Sequence, residues 1–159
     1  AKEKGYTEPD PREELNGRDV ARKILILARE AGETIELSDV QVQSMVPDDC
    51  AQAALVEEFL SRLSAHDDHF EKLRATAEAV GKKLRFMAVY ESGAARVELA
   101  SVGSEHPFFA LQGSDNIILL TTERYHERPM VIRGPGAGAG VTAAGVFADI
   151  IRIGNYAAR

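Results

Sequence analysis

The chain has 159 residues, 45% hydrophobic and 28% charged, which suits a globular protein long enough to bury a core. Its formal net charge of −6 and lack of any basic block argue against nucleic acid or an acidic membrane surface as its main partner. No apolar run approaches the roughly 18 residues of a membrane span, and the one cysteine, Cys50, excludes an intrachain disulfide, as expected in the reducing cytoplasm.

The opening Ala1-Lys2-Glu3-Lys4-Gly5 has no initiator Met and reads like the last turn of a helix closed by glycine. The chain is therefore expected to begin inside a longer protein. Residues 5–15 carry Pro9 and Pro11, two apart, which block helix and central strand, so an extended loop is predicted. Asn16 is a good N-cap for a helix over 17–31. There Val20, Ile24, Leu27 and Ala31 recur at helical spacing, and Gly32 supplies the stop. Residues 34–37 and 40–46 read as short strands, and Pro47-Asp48-Asp49 opens a turn.

A helix over 51–63 would place Leu55, Phe59 and Leu63 on one face. Another, over 67–80, would turn Phe70, Leu73 and Ala77 inward and close at Gly81. Residues 84–90 and 95–102, joined at Ser92-Gly93, have the pattern of a β-hairpin. A buried strand over 116–122 and a short one at Met130-Val131-Ile132 follow. The glycine-rich 134–140 then leads into a helix from about 141 to 153. Helices mixed with hairpin-connected strands give an α+β fold, a mixed sheet with helices packed on one face.

Chemistry concentrates near the start, where the double-proline loop runs straight into a capped helix. Glu8 and Asp10 thereby gain restricted geometry. Asp19 and Lys23, four apart, share a helix face. Glu8, Asp19 and Lys23 could converge on one small ligand, the carboxylates taking an ammonium group and the lysine giving a proton to an oxygen that gains charge. From spacing alone the commoner reading is a surface ion pair, and Glu8 in a loop is usually just solvated.

The string Gly5-Tyr6-Thr7-Glu8-Pro9-Asp10-Pro11-Arg12-Glu13-Glu14-Leu15-Asn16-Gly17-Arg18-Asp19-Val20-Ala21-Arg22-Lys23 resembles the signature of the homoserine dehydrogenases. The tail, Arg133-Gly134 with Gly136, Gly138 and the run from Val141 to Ile150, looks like that family's last helix. Ile26-Leu27-Ala28-Arg29-Glu30 is similar to the bifunctional aspartokinase–homoserine dehydrogenases. The resemblance implies an NADP- or NAD-dependent oxidoreductase acting on homoserine and aspartate 4-semialdehyde, in threonine and methionine biosynthesis, and working as a homodimer. It implies that Lys23 is the catalytic proton donor and acceptor. Glu8 and Asp19 would hold the substrate, with Tyr6, Thr7 and Glu14 as further pocket residues; the family often has Asp at the position of Glu14. Gly5 and Gly138 would lie against the cofactor. Residues 1–133 would form the catalytic and dimerisation domain, and 134–159 a segment returning to a nucleotide-binding domain. The chain alone is then expected to be inactive, because the upstream nucleotide-binding loop is not in it. The rival expectation is a non-catalytic amino-acid-sensing or dimerisation module.

The glycine-rich 134–140 matches neither the P-loop nor the G-x-G-x-x-G spacing. Asp149 reads as solvated. His66 and His69, three apart, share a helix face, but the sequence offers no third ligand, so no metal is expected. Cys50 has no neighbouring His or Cys in sequence to make it a nucleophile. His106 and His126 read as surface residues, and Phe108 and Phe109 as core or dimer contacts.

Overall fold

The computed structural model describes residues 10–113, 115–136 and 138–157. The fold is mixed α+β, and the chain divides into two compact units, 1–109 and 110–159.

The first unit opens with a single helical turn, α1 (Arg12–Leu15), where an extended loop was expected. Proline excludes helix only upstream of itself. Pro11, at φ −66° and ψ −11°, starts the turn, and the Asp10 carboxylate accepts the Arg12 N–H at 3.0 Å. Helix α2 (Arg18–Glu30) follows after Gly17, which sits in the left-handed region at φ +78°. The N-cap is thus Gly17 and not the expected Asn16, which instead covers the Arg18 N–H from the position before it, accepting at Oδ1 at 2.9 Å. At the far end Gly32, φ +100°, closes a Schellman motif, with Gly32 N–H donating to Arg29 O and Glu33 N–H to Ala28 O.

The predicted strand over 34–37 is absent. Glu36 and Asp39 form a reciprocal capping box around a 3-10 turn, Leu37–Asp39, and Arg29 Nε donates to Ile35 O at 3.0 Å. These local bonds take the backbone groups that a strand would need. Of 40–46 only β1 (Gln41–Val42) pairs, parallel to β3.

The helix expected over 51–63 forms from Val56, as α4 (Val56–Ser64) with Phe59 buried, and a separate turn, α3 (Asp48–Ala51), precedes it. The break between them is held by side chains. Glu58 accepts the Ala54 N–H at 3.0 Å, and Arg12 donates to Ala53 O at 2.6 Å. Leu55 is extended there and exposed, not part of an apolar face. Helix α5 (Asp67–Ala79) ends as expected at Gly81, in a second Schellman motif to Ala77 and Glu78. It buries Ala77, half-buries Phe70 and leaves Leu73 exposed.

Strands β2 (Lys83–Glu91) and β3 (Ala94–Val102) form the predicted hairpin, turning at Ser92 (φ 52°) and Gly93 (φ 82°). The sheet order is β1-β3-β2. Register pairs Phe86 with Leu99, Ala88 with Val97 and Tyr90 with Ala95. The face these residues share packs under α2, where Ala21, Val40, Ala95 and Val97 are buried with Val20, Ile24 and Phe86 around them. Leu99, on that same face, lines a groove with Phe70 and Leu73 of α5, so both long helices of this unit lie on one side of the sheet. A second core gathers Cys50, Ala53 and Phe59, flanked by Leu15, Val46 and Leu63.

The stripe that α2 buries is Ala21, Leu25 and Ala28, beside the predicted positions; Val20, Ile24 and Leu27 flank it and Ala31 is exposed. Of this stripe Ala21 meets the sheet, where a small residue lets the helix come close, and Val20 and Ile24 pack beside it.

The second unit pairs β4 (Asp115–Leu120) with β5 (Met130–Pro135), antiparallel, and adds α6 (Ala139–Ala157). Strand β4 is half-exposed rather than buried. No described residue of this unit is buried.

Candidate active site

Because α2 buries Ala21, Leu25 and Ala28, residues two positions away point nearly opposite. Asp19 and Lys23 occupy that outer face. Lys23 Nζ lies 2.7 Å from Asp19 Oδ2, with side chains 56% and 46% exposed. Asp19 sits in the first turn of α2, where the helix dipole favours a carboxylate. Next to this pair, Arg22 reaches Glu13 of α1 at 3.9 Å, and Glu14 is half-buried in the same turn. The result is an ammonium beside a carboxylate on a rigid, accessible helix face. It can offer a proton to one oxygen of a ligand and a negative charge to another part of it.

The turn before α2 is anchored by Arg12, which sequence reasoning passed over. Its guanidinium straddles Asp10, with Nη2 at 2.6 Å from Oδ2 and Nε at 2.9 Å from Oδ1. Its Nη1 donates to Ala53 O, and its Cζ lies 5.7 Å from the centre of the Phe59 ring. Bonded this way, Asp10 has its carboxyl held below the ordinary carboxylate range, chiefly by the Arg12 side chain and then by the Arg12 N–H. No signal short of the fold would find this, because Ala53 is 41 residues away. Gly17 was also missed. A Cβ there would meet Val42 Cγ1 at 2.8 Å and Phe86 Cζ at 3.0 Å, so glycine is what lets the start of α2 touch the sheet.

Gly5, Tyr6, Thr7 and Glu8 lie outside the described residues, so the expected meeting of Glu8 with Lys23 falls outside them too. Gly138, at φ +126°, precedes α6 and has open space where a Cβ would stand; its carbonyl accepts the Thr142 N–H at 3.1 Å. Asp149 is exposed on α6, as expected. His126 is exposed, whereas half-buried His106 accepts the Phe108 N–H at Nδ1, 3.1 Å. Phe108 is buried, and Phe109 carries the Lys83 ammonium 4.3 Å from its ring centre.

His66 and His69 do not pair with each other. His66 Nε2 lies 3.0 Å from both carboxylate oxygens of Asp49. A groove of about 260 Å³ lies alongside, with His66, His69, Phe70, Leu73, Met45 and Leu99 among its described lining. Neither Asp19 nor Lys23 lines it.

The homoserine dehydrogenase family profile matches residues 1–151. A chloroplastic bifunctional aspartokinase/homoserine dehydrogenase of Zea mays is 51% identical over 160 residues, covering 98% of this chain and 17% of the maize protein. A homoserine dehydrogenase of Schizosaccharomyces pombe is 50% identical over 156 residues, covering 96% of this chain and 42% of the yeast protein. A crystal structure of a Candida auris protein of unknown function superposes with a TM-score of 0.86 at 44% identity, over 95% of this chain and 43% of that one. The chain thus spans less than half the length of each of these relatives. A profile matching nearly all of it, with about half of its residues identical to proteins of that name, places it: the chain belongs to the homoserine dehydrogenase family.

Proposed function

We propose that this chain supplies the substrate-binding and proton-handling part of an enzyme that interconverts aspartate 4-semialdehyde and L-homoserine. The reading rests on one observation above the others: within a chain of this family, Lys23 Nζ is held 2.7 Å from Asp19 on the open face of α2. A nicotinamide cofactor, NADP or NAD, supplies or takes up the hydride when bound. Lys23 holds a proton at Nζ for the substrate's terminal oxygen as that oxygen gains charge, and takes it back in the reverse direction. Asp19 orients Lys23 and, together with Glu8, receives the substrate's ammonium group. Tyr6, Thr7 and Glu14 complete the pocket wall.

The fit to a cofactor rests on Gly138. Its positive φ and the open space at its missing Cβ allow a ligand to approach the backbone closely. Gly5 is assigned the same role. Residues 1–133 form the catalytic and dimerisation domain on this reading, and 134–159 return to a nucleotide-binding domain, in a cytoplasmic homodimer serving threonine and methionine synthesis. The single cysteine, buried and unpaired, suits a reducing compartment. No helix among the described residues is long and apolar enough to cross a membrane.

The test is NADP-linked homoserine oxidation by the whole protein that carries this chain. Lys23→Ala is expected to lower kcat by roughly 10²–10⁴-fold, the range for a lost acid–base group, with a much smaller change in KM. Asp19→Asn should raise KM for homoserine. Residues 1–159 alone should show no turnover. Wild-type kcat in Lys23→Ala would remove the lysine from the reaction.

A further inference from the structure

Asp49 and Cys50 are consecutive in α3, and His66 is the residue from which α5 starts. One carboxylate oxygen of Asp49, Sγ of Cys50 and a ring nitrogen of His66 all lie within 4.8 Å of one another. We propose that these three side chains bind a thiophilic divalent transition ion, Zn²⁺ foremost, and so tie α3 to α5.

The dimensions suit it. Zinc binds sulfur at about 2.3 Å and imidazole nitrogen or carboxylate oxygen at about 2.0–2.2 Å, so the ligand atoms of a tetrahedral site stand about 3.3–3.8 Å apart. The three atoms here need shifts of an ångström or less to reach that spacing. Their chemistry suits it as well. Thiolate with imidazole selects zinc or cobalt over magnesium or calcium, which prefer oxygen. The Asp49 and His66 side chains are 59% and 31% exposed, which leaves a solvent-facing fourth position for water. Arg62 also reaches this corner, donating to Asp49 O at 2.7 Å, but its charge is met by Glu58 at 2.6 Å. On binding, the Cys50 thiol releases its proton to solvent and sulfur donates a lone pair. His66 turns its Nε2 lone pair to the ion and carries its ring proton on Nδ1. The ion replaces the Asp49–His66 hydrogen bond. Without an ion, Asp49 bonds to His66 and the enclosed Cys50 thiol packs with Ala53 and Phe59 and bonds to Asp49; the ion would draw all three ligand atoms onto one centre.

The test is a Co²⁺ titration of the full chain with Zn²⁺ as competitor. A thiolate-to-cobalt charge-transfer band should appear at one ion per chain and vanish on adding Zn²⁺. Since Cys50 is the chain's one cysteine, the band reports that sulfur alone. Cys50→Ser should abolish it. His66→Gln and Asp49→Asn should each weaken Co²⁺ binding at least tenfold, since losing even an outer partner of a metal ligand costs roughly 10–100-fold. Should Cys50→Ser not fold, the two half-exposed positions carry the test. Absence of the band in the folded wild type, or less than a tenfold loss in either of those two variants, overturns the proposal.

Discussion

Arg12 joins three parts of the chain through one planar group: it forks onto Asp10, donates to Ala53 O and lies over Phe59. A lysine offers one point charge and no fork, so Arg12→Lys keeps the charge and loses the geometry. The pairing gives Asp10 a pH signature. Its carboxyl titrates lower in the folded state than in the unfolded chain, because Arg12 favours the ionised form. The unfolded chain therefore binds the proton more readily. The stabilisation is fully present above the unfolded value of about 3.9 and is lost as pH falls through the lower folded value. Acid unfolding monitored by circular dichroism should show this. Asp10→Asn is expected to lower the melting temperature at pH 7 and to converge with wild type near pH 2. A constant gap between the two across that range would sever Asp10 from the acid transition.

Among the elements, α2 depends most on a single backbone position. Gly17 combines φ +78° with contact distances that leave no room for a methyl group. Gly17→Ala therefore pays for a left-handed alanine, about 1–2 kcal/mol, and for pushing the helix start off Val42 and Phe86, about 1–3 kcal/mol. A loss of about 2–5 kcal/mol in urea unfolding is expected. Asn16→Ala, which removes only the side-chain bond to the Arg18 N–H, should cost about 1 kcal/mol. Equal losses would mean that the close approach matters no more than that bond.

The contrast between these neighbours also marks what the sequence could and could not disclose. Gly32, Gly81 and Ser92-Gly93 were legible because each signal acts on its own backbone within a few residues. The Asp19–Lys23 pair was legible for the same reason, by a spacing of four. The strand expected over 34–37 did not form, and the helix expected over 51–63 begins only at Val56, because bonds from Asp39, Arg29, Glu58 and Arg12 overrode local pattern. Gly17 looked like an ordinary helix residue because Val42 and Phe86 come against it only in the fold. Cys50 and His66 looked unrelated because 16 positions separate them in the chain and only the packing of α3 beside α5 brings them together.

Across the whole chain, stability is distributed unevenly between the two units. Residues up to 109 contain both buried clusters, and Phe59 and Val97 there are among the most enclosed side chains. Phe59→Ala should cost about 3–5 kcal/mol, as for other buried aromatics. From Ala110 onward the described residues bury nothing. Helix α6 shows Val146, Phe147, Ile150 and Ile153 at 56–68% exposure, and Val131 and Ile132 of β5 are 46% and 51% exposed. Apolar side chains that stay in water contribute little to holding their backbone, so the second unit should open without unfolding the first. In the 159-residue chain, amides in the middle of α6 should exchange with deuterium at least about tenfold faster than those of α2 around Ala21, Leu25 and Ala28, a gap of about 1.4 kcal/mol or more. The hairpin amides of β2 and β3 should follow α2, because both close on the core of Ala21, Val40, Ala95 and Val97. Equal protection in α6 and α2 would contradict this division, since it would require the exposed helix to be held as firmly as one whose inner face is buried against the sheet.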